Sequence, residues 1–252
     1  MTGAVVALLA FVSAVAAYSA STTQSPSKGR GWSIVALGDS VPRGTNCDCT
    51  PYPDLTADAL TDKAAHFVTA SNDSVAGYTS SDVLHQLQSD VGVIDQVRAA
   101  NAVEIQIGAN DVSDSQPCGT NVVCYAPTIP RVKANLGAIV ARLHALTAGR
   151  KVLVVFLDYW NVWLGGQYEA AQGSAYVSAA EQLTDEVNSA IRSTAAASGS
   201  AYVDVRAAFK GPNYVYDETH YLSNDGDHPN AAGQQQIATA TQAVIERALH
   251  IY

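Results

Sequence analysis

Apolar and polar positions along this chain follow two alternating periods. Short runs with no polar face, "WSIVALG" (32–38) and "KVLVVFLDYW" (151–160), read as strands buried on both sides. "HFVTASN" (66–72), "AVEIQIGAND" (102–111, alternating until Gly108) and "AYVDVRAAF" (201–209) read as further strands. Between them, apolar residues recur at helical spacing in "YPDLTADALTDK" (52–63), "SSDVLHQLQSDV" (80–91), "IPRVKANLGAIVARLHALTAG" (129–149), "YVSAAEQLTDEVNSAIRSTAAASG" (176–199) and "PNAAGQQQIATATQAVIERALH" (229–250). Ser80 or Ser81 is suited to cap the second helix. Pro130 and Pro229 stand near helix starts, and Gly149 stands at a helix end.

Strand followed by helix, repeated to the end, predicts an α/β fold: a parallel sheet with helices on both faces. In such sheets ligands gather at the carboxyl ends of the strands. Polar clusters stand at those ends: "GDS" (38–40), "NDSVAGYTS" (72–80), "GAND" (108–111) and "NDGDHPN" (224–230). The pattern therefore predicts that four distant loops share one rim of the sheet.

The N-terminus changes the picture. Residues 4–17 are apolar, short of the roughly 20 residues a spanning helix needs. Small residues with A-x-A-like spacing follow, at Ala14–Ala16 or Val15–Ala17. No Lys or Arg precedes the run, and an uncleaved anchor is the alternative. The expectation is a signal peptide over residues 1–20, a flexible leader over 21–30 and one domain over 31–252, secreted and without a stable membrane span. The 252 residues are 48% hydrophobic, enough for one large core. Fourteen basic against 23 acidic residues give a net charge of −9, and no basic run exceeds three residues, which argues against a nucleic-acid partner. The chain is expected to act as a monomer.

Four cysteines, an even number, suit an exported protein with disulfides. Cys118–Cys124 closes a short loop and is favoured, and Cys47–Cys49 follows by exclusion. The crossed pairings stay open, because a bridge two residues apart is tight. C-x-C with C-x5-C is a poor match to zinc spacing, so no metal is expected.

Ester cleavage by a serine needs a base for its proton, a partner holding that base, and fixed donors for the oxyanion. Ser40, where the first strand turns toward a helix, is the candidate nucleophile. His228 is the candidate base, with Asp225 three residues earlier as its partner; Asp227 is expected to point elsewhere. His220, with Asp217 three residues before it, is the rival base on spacing alone. The Ser40 N–H, Gly77 and Asn110 are candidate oxyanion donors, the glycine through close backbone approach and the asparagine through its amide. Tyr159, Trp160 and Trp163 are candidates for a substrate pocket, and Tyr214, Tyr216 and Tyr221 for a second wall.

The four blocks, in order from residue 38 to residue 230, resemble those of the SGNH (GDSL-type) hydrolase superfamily, secreted esterase and lipase type. The resemblance implies a three-layer α/β/α sandwich with a flavodoxin-like, mostly five-stranded sheet. It implies Ser40 as nucleophile, an Asp225–His228 pair in preference to His220, and an oxyanion hole of Ser40, Gly77 and Asn110. The sequence departs at Val41-Pro42, where the family often shows Leu or Tyr followed by Ser or Thr. No G-x-S-x-G elbow is present, which argues against the α/β-hydrolase fold.

The expected activity is hydrolysis of small-molecule or lipid carboxylic esters, broad in acyl group, with no cofactor. A carbohydrate O-acetyl esterase is the second reading. A secreted binding module without catalysis is the third, opposed by the complete residue set.

Overall fold

The computed structural model describes residues 1, 31–63, 67–114 and 118–249. The expected signal peptide and leader, apart from Met1, lie outside the described residues, as do His66 and His250. Strands β1 (Trp32–Gly38), β2 (Val68–Asn72), β3 (Ala102–Gln106), β4 (Leu153–Leu157) and β5 (Ala201–Val203) form one parallel sheet in the order β2-β1-β3-β4-β5. This is the flavodoxin-like order. Its reversal of direction at β1 and β3 opens a crevice at their carboxyl ends. The β1–β3 register, Ile34 with Ala102 through Gly38 with Gln106, brings the residues after both strands to the same rim.

Helices α1 (Ser40–Arg43), α2 (Tyr52–Lys63), α3 (Ser80–Ser89), α4 (Val91–Ala99), α5 (Val122–Tyr125), α6 (Thr128–Leu146), α7 (Gly166–Ala170), α8 (Ser174–Ser198), α9 (Val205–Lys210) and α10 (Ala231–Leu249) complete the described chain. One face of the sheet packs on α2 and α10, and the other on α3, α4, α6 and α8. The core is the product: Leu37, Ile105 and Phe156 from the strands meet Leu60, Leu136, Ile139, Leu143 and Leu183 from the helices, all buried. Each such side chain contributes about 1.5–3 kcal/mol by leaving water.

Three elements depart from the pattern. The helix expected over 80–91 stops at Ser89, because the Asp90 carboxylate accepts from Gly92 N (2.9 Å) and Val93 N (3.2 Å) and caps a separate helix, α4. The strand expected over 201–209 ends at Val203, because Asp204 accepts from Ala207 N at 2.7 Å and starts α9. β3 ends at Gln106 and leads to a 3-10 turn at Ala109–Val112. Its alternation does not mark an exposed face: Glu104 and Gln106 are as buried as their apolar neighbours.

That burial has a pH signature. Burial pushes the Glu104 carboxyl up to about 8, and burial likewise raises Asp39 and Asp158 to about 7. A carboxyl raised in the folded state binds protons more tightly there than in the unfolded chain. Its stabilising contribution is therefore complete below the unfolded value near 4.5 for Glu104 and is lost as pH rises through about 8. The melting temperature is expected to fall between pH 5 and pH 8, and Glu104→Gln to flatten part of that fall. Thermal melts followed by circular dichroism across this range check it; parallel curves for both proteins would contradict it.

Candidate active site

β1 ends at Gly38, a position only glycine can fill, since a Cβ there would lie 2.1 Å from the Gln106 carbonyl oxygen and 2.8 Å from Pro42 Cγ. The buried Asp39 then caps the short α1, its Oδ1 accepting from Val41 N at 3.0 Å. Its other oxygen accepts from the hydroxyl of the buried Tyr159. Ser40 follows, half-buried, as the first residue of α1. Pro42 fits within this first turn, where a backbone N–H has no helical partner, and its carbonyl accepts from Asn72 Nδ2 at 2.6 Å. The chain leaves α1 through Gly44 at φ +77°.

The turn is held from the far end of the sequence. Gln234 on α10 donates from Nε2 to the Val41 carbonyl (3.1 Å) and accepts at Oε1 from Tyr52 N (2.8 Å). Asn46 donates from Nδ2 to Asp225 Oδ2, and its carbonyl accepts from Ser223 Oγ at 3.0 Å. These bonds tie the Ser40 segment to the loop carrying Asp225 and His228.

That loop is a closed unit. Leu222 and Pro229 form an antiparallel bridge, and Ser223 N donates to the His228 carbonyl at 2.7 Å. Asp225 Oδ1 accepts from the N–H groups of Asp227 and His228, both at 3.0 Å. Its Oδ2 lies 2.7 Å from His228 Nδ1. Burial works to raise the Asp225 carboxyl, but the bonds from His228, Asn46 and Asp227 prevail and hold it down to about 2. Asp225 is thus a carboxylate at any neutral pH. A proton on Nδ1 facing it leaves Nε2 as an acceptor for a hydroxyl.

Asn110 sits in the 3-10 turn after β3, where its Nδ2 donates to the Tyr78 carbonyl at 2.9 Å. One amide hydrogen is used and the other is available. Gly77, one residue before Tyr78, has φ +84°, a conformation that side chains disfavour. Asp111, beside Asn110, accepts from Ser80 N and Ser80 Oγ at 2.8 and 2.7 Å, fixing the same two loops to each other.

A cavity of about 240 Å³ opens here, lined by Ser40, Asn110, Tyr159, Trp160 and Trp163 among others. Gly77, Asp225 and His228 lie outside its lining. Among the described residues the Ser40 hydroxyl makes no hydrogen bond, so it is not bonded to His228 in this structure.

The family model for GDSL-like lipases and acylhydrolases matches residues 36–236. The chain belongs to that family. It is an ester-hydrolysing enzyme of the GDSL type. No curated protein matches the sequence significantly. Similar solved structures include the lipase Lip_vut3 from a goat rumen metagenome (TM-score 0.68, 18% identity, 84% of this chain and 97% of that one). They include Axe2, an acetylxylan esterase from Geobacillus stearothermophilus (TM-score 0.62, 20% identity, 86% and 95%). TesA is a third (TM-score 0.60, 18% identity, 85% and 98%). At these identities the likeness concerns the fold.

Against its sequence, the GDSL hydrolase holds some surprises. Tyr159, Trp160 and Trp163 do line the cavity, but all are under 5% exposed and packed from behind. Trp160 stacks on Phe209 with centroids 4.6 Å apart, and Trp163 donates its indole N–H to the Val112 carbonyl at 2.7 Å. Tyr214, Tyr216 and Tyr221 form no second wall there: Tyr214 bonds Asp204, Tyr216 is exposed, and Tyr221 packs on Phe209. His220 packs at a tilt against Tyr221 while Asp217 bonds Thr219, so that pair is not assembled. Asp227 lines the cavity and makes no hydrogen bond to His228, whose Nδ1 faces Asp225. The links through Asn46, Gln234 and Tyr159 have no periodic signal in the sequence and emerge only from the fold. The structure brings Cys47 beside Cys49 and Cys118 beside Cys124, with Cα separations of 5.1 and 5.7 Å that a disulfide can span. Among the described residues no group of acidic, His or Cys side chains is arranged to hold a metal ion, and no helix is long and apolar enough to cross a membrane.

Proposed function

We propose that this enzyme hydrolyses carboxylic esters through an acyl-enzyme on Ser40. The observation that carries the reading is the Asp225–His228 pair, at 2.7 Å and tied by Asn46 to the Ser40 segment. His228 Nε2 takes the Ser40 proton as Oγ attacks the carbonyl carbon. Asp225 holds the imidazole and offsets its positive charge. The Ser40 and Gly77 N–H groups and the free Asn110 amide hydrogen receive the oxyanion. His228 then gives its proton to the leaving alcohol, and water, activated the same way, releases the acid. Ser40 and His228 come into hydrogen-bond contact with substrate in place; such bonds are commonly long in free enzymes. The protein is exported after removal of residues 1–20, carries two disulfides and acts as a monomer.

The cavity favours short acyl groups. At about 240 Å³ it falls below the roughly 300–1,000 Å³ of pockets that enclose drug-sized ligands. That size also supports the second reading, an O-acetyl esterase acting on carbohydrate. A p-nitrophenyl ester series beside Ser40→Ala tests both. Turnover is expected to fall steadily beyond short chains and to vanish in the variant. Rising activity toward long chains would point to a lipase instead, and variant activity equal to wild type would overturn the site.

A further inference from the structure

Among the described residues, the cavity beside Ser40 is lined by three carboxyl groups, Asp39, Asp114 and Asp227, and by no Lys, Arg or His. Asp39 is buried and bonded to Tyr159, so it belongs to the floor. Asp227 is different: its side chain is 51% exposed and its Oδ2 lies 3.8 Å from His228 Nδ1. In the proposed reaction His228 returns its proton to the departing alcohol. The alcohol must therefore leave past His228 Nε2 from the cavity beside Ser40, whose lining includes Asp227.

The charge of Asp227 is felt across the cleft. Burial is the main cause that raises Asp39 to about 7, and the Asp227 charge adds to it. Tyr176, on the cavity wall, is raised first by burial and then also by the charges of Asp114 and Asp227. Facing Asp227 among the described residues, then, are His228, Asp225, Asp39 and Tyr176, and of these only His228 can carry a positive charge.

We propose that Asp227, supported by Asp114, makes the cleft select esters whose leaving alcohol carries a positive charge and reject those whose alcohol is anionic. This rests on the Ser40 site just described. A half-exposed carboxylate acting on one charge is worth about a fivefold rate ratio, screened by salt.

Three thioacetates of similar size test it at pH 8: acetylthiocholine, its neutral isostere 3,3-dimethylbutyl thioacetate, and 2-(acetylthio)ethanesulfonate. Thiol release gives kcat/KM for each, with p-nitrophenyl acetate as the reference. Wild type is expected to favour the cation over the neutral ester, and the neutral ester over the anion, by about fivefold each at low salt. Asp227→Asn should bring the first ratio down toward that left by Asp114, and Asp227→Lys should invert it. Ratios within one preparation are unaffected by an inactive fraction, so partial misfolding of a variant does not blur the result. Equal turnover of all three esters by wild type, or ratios unmoved by Asp227→Asn, would overturn the proposal and leave the hydrolase site standing. Turnover of p-nitrophenyl acetate undiminished in Ser40→Ala would overturn the site itself.

Discussion

Replacing Ser40 with Ala is expected to abolish turnover, with a loss on the order of 10⁶-fold by comparison with nucleophile removal in a serine protease. The size follows from the arrangement. Without Oγ nothing in the cleft can become acylated, and the Asp225–His228 pair has only water to activate. The proposed oxyanion donors remain, so residual catalysis of roughly 10³–10⁴-fold over water is expected to survive. Fold should be preserved, since Ser40 is half-buried and its hydroxyl bonds no described residue. A fluorophosphonate probe gives a second reading: wild type labels and the variant does not. Labelling retained in Ser40→Ala would move the nucleophile elsewhere.

Replacing Asn110 with Ala is expected to cost about 10²–10³-fold in kcat, or about 3–4 kcal/mol of transition-state stabilisation. One amide hydrogen of Asn110 is bonded to the Tyr78 carbonyl, which aims the other. That second hydrogen meets full negative charge only once the carbonyl has become tetrahedral. The loss should therefore fall on kcat, with KM nearly unchanged. The variant also leaves the Tyr78 carbonyl without this partner, a local cost of about 1–3 kcal/mol if it stays dry. A melting curve recorded beside the kinetics separates the two effects. A rise in KM at constant kcat would make Asn110 a ground-state contact instead.

Much of the fold was legible because buried parallel strands and amphipathic helices write themselves as distinct periods. β1 and α2 begin and end where the pattern places them, at Trp32–Gly38 and Tyr52–Lys63. Asp90 and Asp204 show where the reading runs out. Each is an aspartate whose capping bond splits a run that periodicity treats as continuous. Glu104 shows another limit: a polar residue in an alternating run looks like a solvent face, yet helices cover both sides of this sheet. For the site, the polar strand ends pointed to Ser40, Asn110, Asp225 and His228 because topology alone gathers them. Asn46 and Tyr159 were not legible in these roles. Their partners lie 179 and 120 positions away, and no local spacing encodes such contacts.

Gln234 carries a consequence of its own. Its side chain joins the carbonyl of Val41 to the N–H of Tyr52, so the bend presenting Ser40 is latched by α10. During synthesis the Ser40 turn emerges well ahead of its latch, which lies 193 positions beyond Val41. A growing polypeptide would hold Ser40 in an unfinished geometry until α10 docks, so hydrolytic competence would wait on a helix made long after the turn it secures.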